Sequence, residues 1–133
     1  MSNPIRVVVP IDCHDLSALQ TALAYAQEIG AKAQPPATEY ILLTHTKAQL
    51  KQTSLGNHIG SANAKALLAN QSIGVAGGGH LRHATLQTLR SSTRQAVIIA
   101  YFADDNMMEK IDGLVGVIGV VVVPEFSGYV ENW

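Results

Sequence analysis

Two apolar runs in this chain lack polar alternation: QAVIIAYF at 95–102 and VGVIGVVVVPEF at 115–126. A strand with one face in water alternates apolar and polar side chains, whereas a strand covered on both faces does not. Such runs belong inside a parallel sheet flanked by helices, which restricts the chain to α/β architectures. Other β-branched runs lie at 5–11 (IRVVVPI), 39–46 (EYILLTHT) and, shorter, 72–77 (SIGVAG).

Stretches of helical spacing separate these runs. LSALQTALAYAQEIG (16–30) places Leu16, Leu19, Leu23, Ala26 and Ile29 on one face. Asp15 or Ser17 can cap its start and Gly30 its end, and Pro35-Pro36 forbids continuation. SANAKALLANQ (61–71) predicts a second helix with Ser61 as cap. HLRHATLQTLRSS (80–92) predicts a third, with Leu81, Ala84 or Thr85, and Leu89 inward. DDNMMEKIDGL (104–114) predicts a short fourth. The expectation is one α/β domain over 1–133, three-layered. It has a doubly wound, five-stranded, mainly parallel sheet of Rossmann-like or flavodoxin-like type. The expected order is 2-1-3-4-5, with 3-2-1-4-5 as the alternative.

Composition narrows the partners. The formal net charge is −1, so the basic excess of a phosphate-neutralising nucleic-acid binder is missing. Charged residues are 14%, against roughly 25% in ordinary soluble domains. A second copy of the chain would cover part of such a surface, and a homo-oligomer is expected. Gln, Thr, Ser and Asn supply the alternative. Cys13 is the single cysteine, which excludes an internal disulfide and a cysteine-based zinc motif. The opening residues have no signal-peptide pattern, and the apolar runs are too short to cross a bilayer. A cytoplasmic protein without a membrane partner is the expectation.

Ligands of such folds bind beyond the C-terminal ends of the strands. That rule nominates Asp12, His14 and His45 as acid–base candidates, with Asp104 and Asp105 at a further strand end. A carboxylate can orient an imidazole; Asp12 and Asp15 can equally bond loop N–H groups or cap a helix. Gly77, Gly78 and Gly79 precede the expected third helix, whose first residues include His80, Arg82 and His83. Helix-terminal N–H groups turned by glycines make an anion nest, and an anion there offsets the placement of Arg82 at a positive helix end. A tight strand-to-helix turn is the other explanation of the same glycines. The spacing matches neither common nucleotide fingerprint, so no cofactor is named. His45, His58, His80 and His83 lack metal-ligand spacing, and no metal is expected. The polar stretch 46–61 is either a lid supplying Lys47, Asn57 or His58, or a short surface helix with a turn. Phe126, Tyr129 and Trp133 suit an interface.

VVVPIDCHDLSALQTALAYA, residues 7–26, resembles the opening of universal stress proteins. The resemblance implies shared fold geometry. That family's Gly-rich nucleotide loop would fall on 103–117, where ADDNMMEKIDGLVGV has no such pattern, so ATP binding is not implied. The expected function is a domain that binds a small anionic ligand at the strand ends. The alternatives are a small hydrolase or transferase using a rim histidine, and a structural subunit.

Overall fold

The computed structural model describes residues 5–9, 15–33, 39–52, 54–69, 71–74, 79–89, 92–113 and 115–124. Its elements are β1 (Ile5–Val8), α1 (Leu16–Lys32), β2 (Glu39–Thr44), α2 (Lys47–Gln52), α3 (Ser54–Ile59) and α4 (Ser61–Leu68). They continue with β3 (Ile73–Gly74), β4 (His80–Thr85), β5 (Ser92–Ala103), α5 (Asp105–Asp112) and β6 (Val115–Pro124). One six-stranded mixed sheet has the order β1-β6-β5-β2-β4-β3. All neighbours are parallel except β3, which runs antiparallel to β4. The α/β class and the mainly parallel sheet are as expected.

Three expectations change. The sheet has six strands, not five, and β1 stands at an edge instead of near the centre. The helix expected over 80–92 is absent: residues 80–85 are strand β4, followed by a turn. The third strand shrinks to Ile73–Gly74. The pattern of 80–89 fits two periods at once. Leu81 and Leu89 suit a helix, but Leu81, His83 and Thr85 also fall on alternate positions, with His80 exposed, Arg82 half-buried and Ala84 buried in the second core between and beside them. Two of those three inward residues are polar, which hides the period of two.

Residues of β5 divide between two cores. Val97, Ile99 and Tyr101 join α1, Leu50 of α2, Leu55 of α3 and Leu67 of α4. Ile98, Ala100 and Ala103 join Met107, Met108 and Ile111 of α5, with Leu89 from the turn after β4. Both faces of the central strands are therefore covered, which explains their unbroken apolar runs. Asp15 caps α1 by accepting a 2.9 Å bond from Ser17 N–H. Gly30 does not end that helix; it is buried within it, and Ala33 is the C-cap. Ser61 does not cap α4 either, because Gly60 takes that place without a side-chain bond. The Ala-rich face of α1 packs on β6 and β5, closely enough that a Cβ at Gly119 would lie 2.7 Å from Ile29 Cγ2.

Ile5 and Val8 on the edge strand β1, and Leu16 at the start of α1, are the exposed large hydrophobics among the described residues. No described helix is long and apolar enough to cross a membrane.

Candidate functional site

The connections that leave β2 and β5 depart to opposite faces. From β2 the chain enters α2, whose Leu50 lies in the first core. From β5 it enters α5, whose methionines lie in the second. β2 and β5 are parallel neighbours, so their C-terminal ends form the kind of switch point where sheets of this type place a ligand crevice. His45 follows β2 and Asp104 follows β5.

The two side chains meet there. His45 Nε2 lies 3.3 Å from Asp104 Oδ2 and 3.2 Å from the Phe102 carbonyl oxygen. A carbonyl can only accept, and an ionised carboxylate likewise, so the shared proton sits on Nε2. That leaves Nδ1 as the lone-pair nitrogen of neutral His45, with no described residue bonded to it. The His45 backbone N–H is fixed by a 2.7 Å bond to Gln49 Oε1. Asp104 uses its other oxygen, Oδ1, to accept from Met107 N–H and cap α5. One carboxylate thus ties the start of a helix to an imidazole. Both side chains remain partly open, at 20% and 28% exposure.

Phe102 has φ of +56°, the left-handed region, and is the one described non-glycine residue there. That conformation costs a bulky side chain about 1–2 kcal/mol. Its consequence is visible in the sheet: Tyr101 and Phe102 both point into the first core, and the β5–β6 register shifts between Tyr101 and Ala103. The bulge turns the Phe102 carbonyl to where His45 reaches it. Tyr101 and Phe102 pack edge to face at 4.9 Å. Strained bulges recur beside functional sites because they re-aim groups at strand ends.

A second polar cluster lies under α2. Thr44, His83 and Thr85 are the buried polar residues among those described. Thr44 Oγ1 donates to the Thr46 carbonyl at 2.8 Å and lies 2.8 Å from His83 Nε2. A hydroxyl has one proton, so His83 must donate from Nε2. Burial, reinforced by the Lys47 ammonium, pushes the His83 imidazole down to about 4, so it is neutral at pH 7.

The structure separates the remaining candidates. Gly79, His80 and Arg82 sit at the start of β4, opposite the first residues of β2, whereas His45 follows the last. The sheet length between them is about 17–20 Å. Arg82 is paired with Glu39 on β2, so its charge has a partner without any ligand. Because β4 is a strand, its first residue offers no helix dipole to an anion. Gly79 has φ of +91° in the β3–β4 connection. Asp12, His14, Gly77 and Gly78 lie outside the described residues, as do Asp12's neighbour Cys13 and the aromatic residues of 125–133. Among the described residues no three His, Cys, Asp or Glu side chains gather as a metal site.

His45 and Asp104 were nominated by their strand-end positions. Phe102 had no such signal, since nothing in YFAD announces a positive φ. No known protein family, characterised protein or solved structure matches the chain.

Proposed function

We propose that this chain is a small-molecule-binding α/β domain whose site is the crevice between the C-terminal ends of β2 and β5. The meeting of His45 with Asp104 at that crevice carries the proposal. A protonated His45 offers an N–H at Nδ1 to a small anionic ligand, while Asp104 supplies the balancing charge on the far side of the ring. The strained Phe102 carbonyl holds the ring in place without adding a titrating group. The test is a thermal-shift screen of phosphorylated and carboxylate metabolites on wild type and His45→Asn. A true ligand at a hundredfold excess over its Kd adds about 2.7 kcal/mol of stability to the wild type. The same shift in His45→Asn would remove His45 from the site.

The fixed Nε2–H tautomer also favours a second reading, a hydrolase or transferase. Neutral His45 would take a proton at Nδ1 from water or a substrate hydroxyl, and Asp104 would steady the resulting imidazolium. Turnover of a phosphate or acyl ester that is lost in His45→Asn and reduced in Asp104→Asn separates this reading from simple binding.

We also propose that a second copy covers the exposed β1 edge, where Ile5 and Val8 are open to solvent. Outer edges of parallel sheets are seldom left bare. Sizing the protein in solution tests it, and a monomer at high concentration defeats it.

A further inference from the structure

A cavity of about 630 Å³ lies between α2, α3 and α4, within the size range of small-ligand sites. Lys47, Lys65, Asn57 and Ser61 bring polar groups to its wall, and Leu50 and Leu68 bring apolar ones. Among the described residues no aspartate or glutamate lines it. Lys47 is held in position by a 3.1 Å bond from Nζ to the Leu68 carbonyl, across from its own helix. An ammonium has three N–H groups, so this bond leaves others to offer. Lys65 has no partner among the described residues and stands one α4 turn after Ser61. The start of α4 is capped by Gly60, at φ of +100°, without a side-chain bond, so its first N–H groups stay open.

Two cations, an amide and a hydroxyl therefore surround a space whose floor is aliphatic. A bare inorganic anion would use the lysines and leave the half-buried Leu68 against water. A neutral apolar molecule would leave the polar groups of Lys47, Lys65, Asn57 and Ser61 unused. We infer that this cavity is a binding site for an amphiphilic monoanion, a carboxylate carrying an aliphatic or aromatic body. The site is separate from the His45 crevice and does not rest on it.

Octanoate is the probe, titrated by calorimetry against the full chain, with 1-octanol and inorganic phosphate as controls. Octanoate is expected to bind, and each control to bind at least about tenfold more weakly. Lys65 is exposed, so Lys65→Gln and Lys65→Glu should fold. The first should weaken octanoate about tenfold and the second should abolish it. Ala64→Phe, which fills the space, should block binding by a steric route that does not involve charge. His45→Asn should bind octanoate as the wild type does, which separates this site from the crevice. No octanoate binding, equal binding of 1-octanol or phosphate, or wild-type affinity in Lys65→Glu would each overturn the assignment.

Discussion

Thr44 Oγ1 lies 2.8 Å from His83 Nε2, joining β2 to β4 through two buried polar side chains. The contact is one link of a chain that runs from His83 to Thr44 and on to the Thr46 carbonyl. Thr44→Val keeps the shape but removes both the acceptor for His83 and the donor for Thr46. An unsatisfied buried group costs about 1–3 kcal/mol, and urea unfolding of Thr44→Val should show that loss. Thr44→Ser should keep most of the stability. Equal stability of Thr44→Val and wild type would mean the chain of bonds contributes nothing net.

His83 also gives stability a pH dependence whose sign is determined. Above its ordinary value of 6.5, folded and unfolded chains both hold a neutral ring, and the group adds no slope. Below it the unfolded chain gains a proton that the buried ring refuses until about 4. Stability therefore falls as pH drops through that window, by a total approaching roughly 3 kcal/mol. Asp15 and Glu28 are held below their ordinary values of 3.8 and 4.5, by bonds from Ser17 and from Lys32 respectively. Their contributions are present above those values and disappear only in stronger acid. Unfolding measured from pH 6.5 down to 4.5 isolates His83, and His83→Gln should flatten the slope. A slope unchanged in that variant would contradict the assignment.

The same residues explain why part of the fold was readable and part was not. The unbroken apolar character of 95–102 and 115–124 is a local consequence of double coverage, so it declared a parallel α/β sheet. Strand order is set by pairings distant in sequence, such as Ile5 with Gly119, which no local pattern announces. His83 misled in a different way. A buried histidine satisfied by Thr44 looks like the polar side of a helix until its partner is known. His45 and Asp104 were visible as strand-end groups, but their contact depends on β2 and β5 being neighbours. With the expected strand order they would not have met.

Gly119 tests the close approach of α1 to the sheet. A Cβ there would lie 2.7 Å from Ile29 Cγ2 and 3.2 Å from the Ile5 backbone carbonyl. Gly119→Ala should cost about 1–3 kcal/mol by overpacking. Ile29→Ala removes the nearer obstacle while opening space. The double variant should therefore lose less than the sum of the two single losses, as measured by denaturant unfolding. Strict additivity would show that the helix can shift away freely.

Asp104 has two separable tasks, and substitution can divide them. Its Oδ1 caps α5 through Met107 N–H, and its Oδ2 faces His45 Nε2. Asparagine caps a helix nearly as well as aspartate, so Asp104→Asn should retain stability within about 0.5 kcal/mol. Asp104→Ala should lose about 1 kcal/mol with the cap. Asparagine can, however, turn its amide N–H₂ toward His45, where a second donor opposes the Nε2 proton. Only the Phe102 carbonyl would then favour that tautomer. Nitrogen-15 spectra of the imidazole should show the proton population moving toward Nδ1 in Asp104→Asn, with α5 intact. A loss of stability equal to that of Asp104→Ala, or an unshifted tautomer, would reduce Asp104 to a helix cap. Ligand binding or turnover measured on the same variant then reports whether the orientation of His45, rather than its mere presence, matters at the crevice.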